Sequence, residues 1–318
     1  MLTTTQTALQ NWIPYKLYEQ DNAQWLYTGL LPYTEPFFDD TIFKCRRLDE
    51  NRQQRRVISS CSIFPEWSLQ NTLSPSAIIF HVSRCGSTLL AQLLGLNKQH
   101  IALSEVPFFD NLLRSKYAAG QDLSAYLPHA LSFYAQKRNG DENRLFIKTD
   151  SWHLFFYEQW RIFYPEIPFI LLYRRPDEVI FSQEKKKGMH AVPGIIENEI
   201  FPSGTLPADF HLHPNRYMAA VLEQYYLKMQ QIKTIDSNAY LINYNEGFTS
   251  IAEKVYQLTN TPLQEATRQA FAERCSYDAK EPGKNFSNEK PDDSKIEAYM
   301  QKAFAAYNNL EALRIQHI

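Results

Sequence analysis

The sequence predicts an α/β fold, three layers deep, with a central and mainly parallel sheet preceded by an aromatic-rich N-terminal cap. Short apolar runs at 77–80, 145–147 and 168–173 have strand length, and each stops abruptly at polar residues. Each is followed by a stretch with helical spacing. Strands alternating with helices in this way pair in parallel through right-handed crossovers. With 318 residues, 44% apolar and 14% aromatic, the chain can bury one large core plus an accessory segment. The division we expect is a cap over 1–74 and an α/β domain with a C-terminal helix over 75–318.

Composition narrows the partners. There are 33 basic and 35 acidic residues, so no global field advertises nucleic acid or an anionic membrane surface. Any anion site must be local. Cys45, Cys61, Cys85 and Cys275 are widely spaced, with no Cys-x-x-Cys pair and no secretory leader in Met1 to Asn11, which fits a reducing cytoplasm. No apolar run reaches the length of a membrane span.

The cap, rich in Trp, Tyr, Phe and Pro without a clear period, reads as a short antiparallel unit packed on the main domain. Ala77 to Phe80 then reads as a buried strand, and Leu89, Leu90, Leu93 and Leu94 recur at helical spacing. Between them Gly86 permits a backbone angle or close approach denied to other residues, and Ser87 and Thr88 fall where a helix leaves its first amides unpaired. Such amides and the helix dipole suit an anion, and Arg84 adds a charge that can fork onto phosphate or sulfate oxygens. Cys85 inside this loop reads as a small buried residue. The nucleotide-triphosphatase loop would need a lysine where Ser87 stands and a glycine where His81 stands, so ATP is not the first expectation.

Ser104 and Glu105 follow the next apolar segment, the usual place for a functional group in an open α/β sheet. Helices are expected from Pro107 to Lys116 and around Leu123 to Lys137. The strand Leu145 to Lys148 ends in Thr149 and Asp150, and an aromatic helix from Trp152 to Tyr164 follows. The clearest strand, Pro168 to Tyr173, ends in Arg174-Arg175-Pro176-Asp177, where Pro176 and Asp177 suit a helix start that carries Ser182. Residues 183–213 lose periodicity, as lids and substrate walls do. A long helix from Pro214 to Lys233, a strand from Ala239 to Tyr244 and a helix from Ile251 to Thr259 complete the core. Loop is expected over 276–292, and Ser294 to Glu297 has capping-box form for a C-terminal helix.

Ser83-Arg84-Cys85-Gly86-Ser87-Thr88-Leu89 resembles the 5′-phosphosulfate loop of sulfotransferases, usually Pro-Arg/Lys-Ser-Gly-Ser/Thr-Thr followed by Leu or Trp. That family's 3′-phosphate loop, a strand ending in Arg with a Ser eight residues later, is similar to Arg174 and Ser182. Its Lys-Thr strand end looks like Lys148-Thr149, and its closing Tyr-Glu-x-Leu is weakly similar to Tyr244-Asn245-Glu246. The resemblance covers roughly residues 76–290. It implies a P-loop-like sulfotransferase fold and a donor, 3′-phosphoadenosine 5′-phosphosulfate (PAPS), that leaves as adenosine 3′,5′-bisphosphate. An acceptor hydroxyl or amine, on a small molecule or a peptide, would take the sulfuryl group.

By the same resemblance Arg84, Cys85, Gly86, Ser87, Thr88 and Leu89 would meet the 5′ end, and Arg174 with Ser182 the 3′ end. Lys148 would neutralise the bridging oxygen. No metal is required by this chemistry, and the sequence shows no ligand cluster. The family's small-molecule branch has a His after Lys-Thr, where this chain has Asp150. Its protein-tyrosine branch has a Glu downstream of the first loop, where this chain has Glu105, which is the base we select, with Asp150 and His153 in reserve. Its pKa would have to rise toward neutrality to serve well. The family's late basic loop is represented only by Lys280 and Lys284. Two competing readings are a kinase-like P-loop enzyme using ATP and a nucleotide-binding scaffold without turnover.

Overall fold

The computed structural model describes residues 8–52, 56–202, 212–277 and 296–316. Five strands form a wholly parallel sheet: β4 (Ala77–His81), β5 (His100–Ser104), β6 (Arg144–Lys148), β7 (Phe169–Tyr173) and β8 (Ala239–Asn243). Their order across the sheet is β5-β6-β4-β7-β8. Every residue of β4, β5 and β7 is buried, which is why these runs lack the alternation of a half-exposed strand.

A smaller antiparallel sheet, β1 (Trp12–Tyr18), β2 (Asn22–Tyr27) and β3 (Ile58–Ser60), occupies the cap. With it come three short helices, α1 (Phe38–Cys45), α2 (Asp49–Arg52) and α3 (Phe64–Trp67). The rest are α4 (Ser87–Leu94), α5 (Pro107–Ala119), α6 (Leu127–Tyr134), α7 (Tyr157–Phe163), α8 (Pro176–Lys185), α9 (Pro214–Ile235), α10 (Phe248–Leu258), α11 (Glu265–Cys275) and α12 (Gln301–Gln316).

Strand order and handedness fix the layers. The step from β4 to β5 runs one way across the sheet, whereas β5 to β6, β6 to β7 and β7 to β8 run the other way. Right-handed crossovers then set α4 on one face and α5, α6, α7, α8 and α9 on the opposite face. α10 and α11 pack on α4, and α12 packs along α9. The order reverses at β4, and that reversal opens a crevice at the carboxyl ends of β4 and its neighbours.

The cap shares the core of the sheet domain rather than resting on its surface. Phe64 packs edge-on against Phe133 and lies beside Phe108, Trp25 meets Phe133, and Phe38 meets Tyr134. Backbone groups cross the same seam: Leu17 N–H donates to Asn111 Oδ1 at 3.1 Å, and the Ser104 hydroxyl donates to the Pro36 carbonyl at 2.9 Å.

Several local expectations need correction. The aromatic segment after β6 starts as a 3-10 helix, Ser151–Phe156, before α7 takes over, so Trp152, Phe156 and Trp160 are buried while Phe155 and Phe163 are only partly so. The region expected as a helix around Leu123 to Lys137 is α6 preceded by a 3-10 turn, Ser124–Tyr126. α11 has no counterpart in the sequence reading: its only buried residue is Phe271, so the sequence offers little apolar periodicity there. Of the proposed C-terminal capping box, Ser294 and Lys295 lie outside the described residues, and a 3-10 turn, Ala298–Met300, leads into α12. Among the described residues no helix is long and apolar enough to cross a membrane.

Candidate active site

The turn from β4 into α4 is tightly wound. Ser83, Arg84 and Gly86 all have positive φ, at +62°, +49° and +76°. Two non-glycine residues in this region carry strain, and strain of this kind persists only where surroundings impose it. His81, the last residue of β4, supplies part of that constraint. Its Nδ1 accepts the Ser83 N–H at 3.0 Å, and its Nε2 lies 2.9 Å from the Thr149 carbonyl at the end of β6. An Nδ1 that accepts cannot carry a proton, so the ring is the neutral Nε2–H tautomer and donates to Thr149. Burial holds its pKa below the usual histidine value, in keeping with this.

Gly86 is required twice over. A Cβ there would meet Phe248 Cζ of α10 at 1.9 Å, in addition to the left-handed backbone. Ser87 and Thr88 open α4 with their side chains on a cleft, where the first amides of the helix have no partner within it. Cys85 instead points inward, its thiol 3.5 Å from the Leu172 carbonyl and pushed up to about 11 by burial, and Leu89 belongs to the core. Neither side chain reaches the cleft; their contribution is backbone.

Two arginines assigned to opposite ends of a donor turn out to be neighbours. Arg84 directs Nε to the Ser182 hydroxyl at 2.8 Å and Nη2 to the Ser182 carbonyl at 3.1 Å. Arg174 donates from Nη1 to the Arg84 carbonyl at 3.2 Å and from Nε to Glu178 at 2.9 Å, with its guanidinium over the Tyr244 ring. Its side chain is only 9% exposed, so it braces the loop from behind. Arg175 forks onto Asp177. Lys280 and Lys284 lie outside the described residues.

The strand ends beside the loop bring the carboxylates in. Glu105, at φ +54°, pairs with Lys148 Nζ, and its Oε1 lies 3.5 Å from His81 Nε2. Burial alone would raise its pKa, but the Lys148 charge and the hydrogen bonds from His81 and Lys148 prevail and hold it well below the carboxylate range. The rise toward neutrality expected of Glu105 is therefore absent. The Lys148 side chain has no exposure at all: it stands behind Glu105 rather than in the cleft.

Asp150 behaves in the opposite way. Burial, then the charges of Asp110 and Glu105, push its pKa well above the ordinary value. His153 Nε2 sits 3.6 Å from Asp150 and 3.1 Å from Asp110, which also accepts the Trp152 indole N–H at 2.6 Å and Arg114 at 2.9 Å. Asp110, Asp150 and His153 offer ligand atoms within 4.8 Å of one another, a cluster hidden from the sequence because Asp110 comes from a different helix. Asp110 is already engaged by three protein donors, so the cluster is closed on that side.

These groups surround one cleft of about 280 Å³. Arg84, Ser87 and Thr88 border it from the loop, Glu105 and Asp150 from the strand ends, Phe37 from just before α1 and Asp39 from its first turn. Lys186, Lys187 and Met189, from the start of the aperiodic 183–213 stretch, form a further wall. The sequence reading missed His81, Asp110, Phe37, Asp39 and Phe248. His81 was discoverable as the polar end of a buried strand; the others had no local mark.

No family model matches the chain, and no curated protein matches it. The structure is similar to solved sulfotransferases. One from Alicyclobacillus acidocaldarius matches over 64% of this chain and 93% of its own, at 14% identity and TM-score 0.40. The sulfotransferase domain from the curacin biosynthetic pathway matches over 62% and 77%, at 15% identity and TM-score 0.41. A sulfotransferase from Mycobacterium avium matches over 80% and 78%, at 12% identity and TM-score 0.42. On its own topology the chain belongs to the parallel α/β folds, with its candidate site at the reversal of strand order.

Proposed function

We propose that the protein is a sulfotransferase that moves a sulfuryl group from PAPS to a hydroxyl or amine. The supporting observation is the single cleft in which an anion-type strand-to-helix turn, Arg84 with Ser87 and Thr88, faces two carboxylates of contrasting pKa. The residues fit such a donor at its phosphosulfate end, since the opening of α4 directs hydroxyls and free-ended amides into the cleft beside a guanidinium. When bound, the donor supplies an activated sulfuryl group on a phosphosulfate anhydride.

Arg84, Ser87, Thr88 and the loop amides hold the anionic oxygens and stabilise charge on the departing phosphate. Ser182 and Arg174 are assigned to the 3′-phosphate by their similarity to the family's second loop; both bond the Arg84 turn, which sets that end of the donor beside the first anion site. Lys148, kept from the cleft, acts through Glu105 and fixes that side chain as a carboxylate. Asp150 is the proton acceptor, because two carboxyl groups whose surroundings drive their pKa values apart divide into one charged and one proton-exchanging role. Holding nucleophile and leaving oxygen in line then does most of the work.

Calorimetric titration with adenosine 3′,5′-bisphosphate tests the donor assignment. Arg84→Ala and Arg174→Ala should each weaken binding at least tenfold, about 1.4 kcal/mol. Binding of ATP with magnesium and none of the bisphosphate would overturn it in favour of a kinase-like enzyme. Bisphosphate binding without sulfuryl transfer to any of a broad acceptor panel, unaffected by Asp150→Asn, would leave a binding module instead.

A further inference from the structure

Anion binding accounts for only part of the cleft. Asp39, Glu105 and Asp150 all border it, and Asp110 stands behind Asp150. Each feels the next: the Glu105 charge acts on both Asp39 and Asp150, and the Asp110 charge acts on Asp150. Lys148 answers Glu105 and Arg114 answers Asp110. Among the described residues, no lysine or arginine lies within ion-pair distance of Asp39 or Asp150.

A second observation is independent of that charge pattern. The Asp150 side chain is 8% exposed, borders the cleft, and accepts no hydrogen bond from any described residue; His153 Nε2 stands 3.6 Å away, beyond hydrogen-bond distance. Buried carboxyls are normally satisfied by donors from their own chain. One left open toward a cavity is matched to a donor that arrives from outside.

We propose that the acceptor is a primary amine that enters as an ammonium on a flat apolar body. Its N–H groups are taken by Asp150, its charge is balanced by Asp39, and its body lies against Phe37 and Trp152, which border the same cleft. This rests on the sulfotransferase reading and narrows it from hydroxyl or amine to amine. The ammonium gives one proton to Asp150. The freed nitrogen lone pair forms the N–S bond as the sulfur–oxygen bond to the donor's phosphate breaks, the bond pair leaving with that phosphate. A second nitrogen proton passes to solvent, giving a sulfamate and adenosine 3′,5′-bisphosphate. A divalent metal fits the acidic half less well, because Asp110 is already held by Trp152, His153 and Arg114.

Three phenyl probes with the same two-carbon spacer and different head groups separate the possibilities: phenethylamine, 2-phenylethanol and 3-phenylpropionate, titrated onto the full chain saturated with adenosine 3′,5′-bisphosphate. The amine should bind at least tenfold tighter than the alcohol, and the carboxylate more weakly still. Asp39→Asn should shrink the amine–alcohol gap at least threefold. With donor present, mass spectrometry should find sulfur on nitrogen. Equal or tighter binding of the alcohol or carboxylate, no binding of any probe, or displacement of the amine by manganese would overturn the proposal. The bisphosphate titration on the same sample reads the donor end separately: if it fails while the probe preference holds without bisphosphate, the donor assignment falls and the amine site stands.

Discussion

Glu105 and Asp150 are both carboxylates at a strand end, and their surroundings make them opposites. Glu105 faces a lysine with no exposure, so the pair is one-sided: removing the carboxylate strands a buried charge. Glu105→Gln should therefore cost about 3 kcal/mol in urea unfolding, and adding Lys148→Met should recover most of it. Additive losses in the double variant would refute the coupling. For Asp150 the folded pKa lies above the unfolded one, so between those two values the folded chain keeps a proton that the unfolded chain has released, and above the folded value Asp150 is the carboxylate that can accept one. Its contribution is intact below about pH 4 and is lost as pH rises through the folded value. Asp150→Asn should then match the wild type in stability near pH 4 and exceed it at pH 8. A difference that does not change with pH would contradict this account.

The connection from β4 to α4 shows how an element can depend on a distant one. Gly86 is fixed by its backbone and by the Phe248 ring, which belongs to a helix more than a hundred residues later in the chain. Gly86→Ala should destabilise by more than the roughly 1–2 kcal/mol of left-handed backbone strain, because the ring must also move. Combining it with Phe248→Ala should remove the excess and leave the backbone part. Thermal unfolding of the two single variants and the double variant measures that coupling. If Gly86→Ala costs as much in the Phe248→Ala background as it does in the wild type, the ring is not the obstacle.

At the level of the whole molecule the cap and the sheet domain share one core. Trp25 and Phe64 of the cap pack on Phe133 of α6, Phe64 also lies beside Phe108 of α5, and the Tyr134 hydroxyl and Gln136 side chain bond cap backbone across the seam. Phe37 and Asp39, both from the cap, also border the cleft. A chain starting at residue 75 would expose that apolar surface to water, so it should express as aggregate or as an uncooperative, dye-binding state. A monomeric 75–318 fragment with sharp thermal unfolding would show the cap to be an accessory after all.

The sheet strands, the turn around Gly86 and the helix that follows it were legible because their causes are local. A fully buried strand needs a short apolar run, a helix needs its period, and a tight turn with open amides needs Gly86, Ser87 and Thr88 in sequence. α11 escaped because only Phe271 is buried on it, so packing left almost no pattern to read. Glu105 was selected as base by its similarity to a family branch with a Glu downstream of the first loop, and the fold puts its side chain at the border of the cleft. What position could not supply was the charge beside it. Lys148 lies on a neighbouring strand, Asp110 on the helix across from Asp150, and Ser182 across from Arg84, all joined by parallel pairing and crossovers rather than by spacing along the chain. Residue types and local order settle which groups can carry the chemistry; through-space Coulomb forces and burial settle which state each is in, and those exist only once the chain has folded.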